Sequence, residues 1–321
     1  MTCQSARALG YRLPAEWADQ ARVWVSRPHN AETWPQCLEE AQDEFDQFVE
    51  RLRPRVEVCD TQSCGIPTND AWIRDYGPLF VTRPGSGPAL AAHDFRFNSW
   101  GRKYPPWDLD DRASQSILAQ MPIPVWIHDD VLEGGAIEVN GRGTVIASQS
   151  CLLDPARNRL DKAEAEQILH EALGTTHVIW LSGSLAGDDT DGHVDTVARF
   201  IGPDSVAAVR APQGHANHAR LEPIWQTLSH AHDQDRRPLH LVELPSPRAD
   251  KPPLPASYAN FFICNGAVFV PTFNQRCDDV ALRTLEGAMP NYEIVAIPSQ
   301  HLVVGLGTLH CLTMQQPPVL S

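Results

Sequence analysis

The sequence lacks both a long apolar run and a concentration of basic side chains. No segment reaches the roughly 18 consecutive apolar residues that a membrane-spanning helix needs, and the first residues contain no signal-peptide hydrophobic segment. Acidic side chains outnumber basic ones by 40 to 26, and the formal net charge of −14 repels nucleic acid and anionic lipid. We therefore expect a cytoplasmic protein with no membrane partner and no nucleic-acid partner.

The cysteine pattern excludes a disulfide-stabilised fold. Eight cysteines are spread along the chain without a CxxC pair, so no disulfide-rich framework is predicted. Most of them are expected to be buried thiols in a reducing compartment. A single cysteine with reactive neighbours is therefore the feature to look for.

A unit of two strands, a helix and another strand recurs along the chain. Asn140-Gly141 and Asn265-Gly266 are strong signals for hairpin turns between apolar segments. Asp161 and Glu164 have the spacing of a helix capping box. The units are roughly sixty residues long, as in repeat folds. The clearest units span 136–181, 196–244 and 260–297.

Two more units would complete a ring. One covers 79–128, and the other is divided between a C-terminal strand at 310–315 and an N-terminal segment over 23–59, whose helix is predicted at 31–52. About five such units bury their faces against one another if the C-terminal strand seals the ring. We predict one α/β domain over 1–321; an ordinary mixed α/β sandwich is the alternative that periodicity leaves open.

Polar residues concentrate near the strand starts of successive units. In a ring, equivalent ends of the units meet at one central site, so segments far apart in sequence can converge. We expect four clusters to form this site: 68–78, 132–136, 187–195 and 305–311.

Cys311 is the candidate nucleophile of this site. It follows Gly305 and Gly307, which permit a close backbone approach, and nearby N–H groups can lower the pKa of a thiol. His193 and Asp195, two apart on a predicted strand, point to the same face, and His193 can transfer protons near neutral pH. A buried structural thiol and a hydrogen-bonded loop pair remain the alternatives for these residues.

A metal-dependent amidohydrolase is a further alternative. His193, Asp195, His310 and Cys311 are all ligand types for a metal ion. However, the sequence has no HExxH motif or similarly close spacing of ligands. The spacing therefore favours a site without a metal.

Acidic residues would surround the thiol. Asp75, Glu133, Asp189 and Asp195 together form an acidic pocket suited to a guanidinium, a planar cation that accepts paired carboxylates. Trp72 can stack on that plane. A thiolate would attack the guanidinium carbon, and His193 would protonate the departing nitrogen, which leaves as ammonia. Hydrolysis of the covalent intermediate would then give a ureido product.

Six segments together resemble the agmatine deiminase and bacterial peptidylarginine deiminase family of guanidine-modifying enzymes. They are 69–78, 97–101, 132–135, 151–158, 190–195 and 309–317, and they follow the family order along nearly the whole chain. The resemblance implies the pentein fold, an α/β-propeller of five pseudo-symmetric ββαβ units. It also implies that no metal and no organic cofactor is needed.

The resemblance assigns five catalytic roles. Cys311 matches the nucleophile that carries the covalent amidino intermediate, and His193 matches the general acid/base. Asp75 and Asp195 match the carboxylates that clamp the guanidinium. Glu133 matches the residue that positions and charges the histidine.

The substrate is less closely defined by the resemblance. Trp72 matches a wall of the pocket, and Asp189 sits where agmatine deiminases have an acid for the distal amine of the substrate. Arg102 and Tyr76 depart from the agmatine pattern, and Arg102 could pair with a carboxylate of free or peptidyl arginine. Agmatine, giving N-carbamoylputrescine, is the leading substrate; an inactive ring that only binds guanidines and a homo-oligomer both remain open.

Overall fold

The computed structural model describes residues 4–85, 89–248 and 253–319. Within these ranges the chain forms fifteen strands in five three-stranded sheets. The strands are β1 Arg22–Val25, β2 Glu57–Asp60, β3 Leu79–Thr82, β4 Leu90–Arg96, β5 Val125–Val131, β6 Ile137–Val139, β7 Thr144–Ser148, β8 His177–Leu181, β9 Ala198–Phe200, β10 Ser205–Arg210, β11 His240–Pro245, β12 Phe262–Cys264, β13 Ala267–Thr272, β14 Glu293–Pro298 and β15 Thr313–Gln316.

Helices connect the strands within and between these sheets. Five longer helices join the second and third strands of each unit, and three short elements lie in the connecting segments; one of these, Ser99–Arg102, is a left-handed turn with positive φ at every residue. The helices are α1 Leu38–Leu52, α2 Ile73–Tyr76, α3 Ser99–Arg102, α4 Asp110–Leu118, α5 Gln149–Leu152, α6 Lys162–Leu173, α7 His218–Ser229 and α8 Asp278–Ala288.

All five sheets share one topology. In the third unit, for example, β6 pairs antiparallel with β7, which pairs parallel with β8 after the α6 crossover. The first unit is built from both ends of the chain, because β15 pairs antiparallel with β1 and β1 pairs parallel with β2. The predicted ring of five ββαβ units is confirmed, including its closure by the C-terminal strand.

The local sequence explains the elements of a typical unit. All five residues of β7 are buried, as expected for a central strand whose two faces are both covered. Asp161 caps α6 and forms the predicted capping box with Glu164. Leu169 and Leu173 of α6 then face the apolar core. The predicted hairpin, the capping box of α6 and the apolar face of α6 are therefore all consistent with the same unit.

The first helix begins later than predicted. The expected helix over 31–52 starts at Leu38 in the structure, because Pro35 and the left-handed Gln36 (φ 67°) lie in a series of turns before it. Trp34 in these turns is fully buried, and its ring centroid lies 5.2 Å from that of Trp72. These turns line the cleft that is described below. The C-terminal strand likewise begins at Thr313 rather than at residue 310.

Short polar turns precede the first strand of each unit. The helix α2 comes before β3, and 3₁₀ turns at Gly134–Ala136 and Val194–Thr196 come before β6 and β9. His193 and Asp195 therefore lie on a 3₁₀ turn and its flank, not on a strand as predicted. The ring gathers these turns at one place, and the candidate site lies there.

Among the residues that the structure describes, no helix is both long enough and apolar enough to cross a membrane.

Candidate active site

A cleft of about 740 Å³ opens where the polar turns of the units meet. Its lining includes five of the residues predicted from the sequence, namely Trp72, Asp75, Asp189, His193 and Cys311. The other two, Glu133 and Asp195, lie behind the lining and contact His193 and Cys311. All seven predicted residues therefore belong to one site.

Cys311 lies in an acidic and almost closed environment. Its Sγ is 3.1 Å from Asn260 Nδ2 and 3.5 Å from Asp195 Oδ2, and the residue is 7% exposed. Burial raises the pKa of the Cys311 thiol well above its usual value, and the charges of Asp195 and Asp75 act in the same direction. Hydrogen bonds from Asn260 and Thr308 lower this pKa, as expected for nearby N–H groups, but their effect is smaller than that of burial and the two carboxylates.

His193 belongs to a buried chain of charges. Its Nε2 is 2.8 Å from Glu133 Oε2, and Glu133 Oε1 accepts a hydrogen bond from Arg157 Nε at 2.7 Å. Burial alone would lower the pKa of His193, but Asp75 and Glu133 outweigh it and raise this pKa to about 10. Burial would likewise raise the pKa of Glu133, but His193 and Arg157 lower it. His193 is therefore an imidazolium at neutral pH.

Both carboxylate oxygens of Asp75 accept a hydrogen bond. Its Oδ1 accepts the Gly135 N–H at 2.9 Å, and its Oδ2 accepts the Trp100 indole N–H at 3.0 Å. The indole reaches Asp75 because the chain takes a left-handed turn at Trp100 (φ 53°), a conformation that is uncommon for such a side chain. Burial raises the pKa of Asp75 to about 6.

Asp195 is positioned by a second histidine. His310 Nδ1 lies 2.7 Å from Asp195 Oδ2, and His310 Nε2 lies 2.8 Å from Glu16 Oε2. Glu16 in turn contacts Arg199 at 2.7 Å. Burial would raise the pKa of Asp195, but the contact with His310 lowers it. Asp195 Oδ1 is buried and has no hydrogen-bond partner among the described residues, so it is available to a ligand.

Gly135 shows how closely these groups converge. A Cβ placed on Gly135 would lie 2.5 Å from His193 Nδ1, 2.9 Å from Asp75 Oδ1 and 3.1 Å from Asp195 Oδ2. These separations are shorter than ordinary van der Waals contacts, so only glycine fits. The His193 imidazole and the carboxylates of Asp75 and Asp195 therefore all approach the position that a Cβ on Gly135 would occupy.

The loop before Cys311 packs on two indoles. A Cβ on Gly307 would lie 2.5 Å from Trp72, and a Cβ on Gly305 would lie 2.6 Å from Trp34. The close backbone approach predicted for these glycines is therefore observed. Trp72 is thereby fixed as one wall of the cleft.

The outer part of the cleft carries Asp189. Its Oδ2 accepts a hydrogen bond from the Tyr104 hydroxyl at 2.5 Å, and burial raises the pKa of Asp189. Lys103 contacts the Asp189 carbonyl and forms an ion pair with Asp191 at 2.6 Å. Arg102 is exposed and is not part of the cleft lining. The expectation that Arg102 could pair with a substrate carboxylate is therefore not supported by its position.

The geometry does not favour a metal centre. Glu133, Cys151 and His193 offer ligand atoms within 4.8 Å of one another, but Arg157 is bound to Glu133 and would repel a cation. Burial also raises the pKa of Cys151 well above its usual value, whereas a metal needs the thiolate. The other candidate ligand set included His310, and both of its ring nitrogens are bound to carboxylates.

Sequence reasoning missed several residues that support the site. Asn260 precedes β12 just as the predicted residues precede the first strands of their units, so the repeat itself could have identified it. Trp100 and Arg157 lie in segments that carry the family resemblance, but they had no assigned role. Glu16 is remote in sequence from every motif, and we find no sequence signal for it.

Comparison with known proteins gives the family. A model of the Porphyromonas-type peptidyl-arginine deiminase family matches residues 12–317. The agmatine deiminase of Medicago truncatula is 33% identical over 363 aligned positions, with 97% of each chain covered. The agmatine deiminase of Stutzerimonas stutzeri is 31% identical, with 96% of each chain covered.

Solved structures agree with this result. The agmatine deiminase of Enterococcus faecalis superposes with a TM-score of 0.93 at 29% identity, covering 100% of this chain and 99% of the other. A dimethylarginine dimethylaminohydrolase at 13% identity and a TM-score of 0.55 shares the fold alone. With a family match over nearly its whole length, the chain belongs to the Porphyromonas-type peptidyl-arginine deiminase family, and its five-unit ring is the pentein fold.

Proposed function

We propose that the protein hydrolyses the guanidine group of agmatine to give N-carbamoylputrescine and ammonia. The observation that carries the proposal is the convergence of the Cys311 thiol, the His193 imidazole and the carboxylates of Asp75 and Asp195 at one cleft. Similarity to agmatine deiminases over nearly the whole chain supports the same substrate.

The charge of the cleft suits a cation at both ends. Its lining contains five acids and, among the described residues, Lys103 as the one lysine or arginine. Asp75 and Asp195 flank the position next to Cys311 Sγ, where a guanidinium would accept paired carboxylates. The unpartnered Asp195 Oδ1 would receive one of its N–H groups. The acids of the lining are Glu32, Asp70, Asp75, Asp110 and Asp189.

The cation itself would activate the nucleophile. The carboxylates of Asp195 and Asp75 oppose ionisation of Cys311. A guanidinium bound between them compensates their charge and favours the thiolate, and the thiol proton is released as the cation binds. This sulfur can then attack the guanidinium carbon.

His193 would donate a proton in the first half-reaction and accept one in the second. After the C–S bond forms, imidazolium transfers its proton to the departing nitrogen, the C–N bond breaks and ammonia leaves. Neutral imidazole then takes a proton from water, which attacks the amidino carbon. The C–S bond breaks, the remaining hydroxyl proton is released to solvent as the ureido carbonyl forms, and Cys311 returns as a thiolate. Glu133 keeps the imidazole charged and oriented for these steps.

The outer cleft supports an amine rather than a carboxylate tail. Asp189 would pair with the distal ammonium of agmatine, whereas the carboxylate of free arginine would require an available cation. Lys103 is engaged with Asp191 and with the Asp189 carbonyl. Free arginine is therefore a less favoured substrate than agmatine. Peptidyl arginine remains the other alternative.

A substrate panel tests the proposal. Purified protein is incubated with agmatine, free arginine and an arginyl peptide, and ureido product and ammonia are quantified. We expect turnover to be fastest with agmatine, unaffected by chelators and absent in Cys311→Ala. Guanidine binding without turnover would instead indicate an inactive ring, and full activity of Cys311→Ala would exclude the proposed nucleophile.

We also propose a cytoplasmic location. All seven cysteines in the described part of the chain are free thiols, the state that reducing compartments maintain. Fractionation of the native host with an antibody to the protein tests this location.

A further inference from the structure

A second cleft lies between the fourth and fifth units of the ring. It has a volume of about 950 Å³ and is lined by residues within 210–218, 243–248 and 274–277. Two of these segments follow β10 and β13, the second strands of their units. The active cleft is likewise lined by segments that follow the second strands β1 and β4. The second cleft therefore repeats the architecture of the active cleft in two other units.

The two clefts differ in the sign of their charge. The active cleft has five acids, Lys103 and two histidines in its lining, whereas the second cleft has three arginines, two histidines and a single acid, Glu243. The chain as a whole carries a net charge of −14, so its composition does not account for a concave cationic surface. The lining is the opposite of what a cationic substrate would need.

The arginines of the second cleft are unequally paired. Arg210 contacts Glu243 at 3.2 Å and Glu222 at 3.4 Å, and its guanidinium lies 4.8 Å from the centroid of the Trp225 ring. Arg248 and Arg276 have no acid within ion-pairing distance among the described residues. Both nearby glutamates, Glu243 and Glu222, therefore contact Arg210, and within the part of the chain that the structure describes neither Arg248 nor Arg276 has a paired acid.

Neutral groups of the cleft connect its loop segments through backbone hydrogen bonds. Gln275 Oε1 accepts the backbone N–H of Arg248 at 2.8 Å, which ties the two cleft segments together. His215 Nδ1 accepts the Asn217 N–H at 3.1 Å, so Nε2 carries the proton of the neutral ring and can donate to a ligand. The loop conformations are therefore fixed without using up the donors of the lining.

The topology also favours an anion. The parallel strands β10 and β11 both end at this cleft, and ligands of α/β sheets bind beyond the carboxyl ends of the strands. The helix α7 starts there with no acid in its first turn and no cap bond from the Asn217 side chain, although the N–H groups of His218 and Arg220 donate to backbone carbonyls. Its positive end adds to the field of the arginines.

We propose that this second cleft binds a small molecule that carries a phosphate group. A phosphate monoester has a charge of about −1.5 to −2 at neutral pH, which matches the two arginines that have no paired acid among the described residues. The forked guanidinium groups of Arg248 and Arg276 bind phosphate oxygens in pairs. This site is separate from the deiminase chemistry and does not depend on it.

Calorimetry with pyrophosphate, orthophosphate and adenosine monophosphate tests the proposal on the full chain. We expect saturable binding that weakens about a hundredfold in the double variant Arg248→Ala/Arg276→Ala, since each lost charge-assisted hydrogen bond accounts for about a tenfold change. Preference for orthophosphate or for the nucleotide distinguishes a free anion from an organic phosphate ester. Thermal unfolding of the variant should match that of the wild type, because both side chains are exposed.

The double variant Arg51→Ala/Arg53→Ala is the matched control. It removes the same charge from exposed positions at the end of α1, outside the second cleft, and its phosphate affinity should equal that of the wild type. No saturable binding, equal weakening in both double variants, or equal affinity for the dicarboxylate succinate would each overturn the proposal.

Discussion

His310 Nδ1 lies 2.7 Å from Asp195 Oδ2, at the back of the candidate site. The contact fixes one oxygen of Asp195 and leaves Oδ1 as the atom available for a guanidinium. His310 does not line the cleft. Its contribution to catalysis would therefore be positional, through Asp195.

His310→Ala should lower kcat/KM for agmatine by about tenfold to a hundredfold, because it removes a hydrogen bond to a charged group that accounts for about 1.5–3 kcal/mol. His310→Asn keeps a donor near the position of Nδ1 and should recover part of the loss. Steady-state kinetics of the two variants measures the difference. Equal kinetics in both variants and the wild type would show that Asp195 does not need this partner.

Gly135→Ala should eliminate activity without unfolding the protein. The added methyl group would overlap His193 Nδ1 and Asp75 Oδ1, while the backbone of Gly135 is not in the left-handed region. Overpacking of this kind costs about 1–3 kcal/mol. Gly287→Ala is the control, because a Cβ there meets nothing within 4 Å. Substantial turnover by Gly135→Ala would contradict the described convergence.

The pH profile should have an acid limb set by Asp75. Burial raises the pKa of this carboxyl to about 6, and only the charged form can bind a guanidinium. We expect kcat/KM for agmatine to fall as the pH drops below about 6. A profile that stays flat down to the ordinary range of an aspartate would show that Asp75 is not the binding carboxylate.

The alkaline limb should depend on Glu133. The pKa of His193 is raised to about 10 in the folded protein. The ion pair between His193 and Glu133 therefore stabilises the fold fully below the ordinary histidine pKa, and this stabilisation is lost as the pH rises through about 10. Glu133→Gln removes a negative partner, and the alkaline limb of the pH profile should move to lower pH. An unmoved limb would assign it to another group.

Asp189→Asn should affect substrates according to their tails. If Asp189 pairs with the distal ammonium, the KM for agmatine rises while the KM for butylguanidine, which lacks the amine, stays nearly constant. The ratio of the two KM values measures the effect and cancels any general disturbance of the loop. An unchanged ratio would remove Asp189 from the binding site.

The repeat made much of the fold and site predictable. Hairpin signals, a capping box and apolar spacing are local, so the five units could be located along the chain before any contact was known. Because the ring brings equivalent turns together, Asp75, Glu133, His193 and Cys311 could be assigned to one place. The residue types at those turns then suggested guanidine chemistry.

Other features depend on burial and on distant partners. The pKa of Cys311 is raised because the folded chain removes water from the thiol and brings Asp195 to it, and neither effect is encoded near residue 311. Glu16 is remote in sequence from every motif, and only the fold brings it to His310. The apolar spacing predicts a helix from residue 31 because it continues through Trp34. In the structure Trp34 lies in a turn before α1 and packs against Trp72, so the helix starts later.

The central claim is that Cys311 forms a covalent bond to the guanidinium carbon. Rapid acid quenching of the reaction with agmatine, followed by proteolysis and mass spectrometry, tests it directly. The account predicts a peptide containing Cys311 with the added mass of agmatine less ammonia, absent in Cys311→Ser and in the absence of substrate. Multiple turnovers with no such adduct on Cys311, or with the adduct on another cysteine, would contradict it.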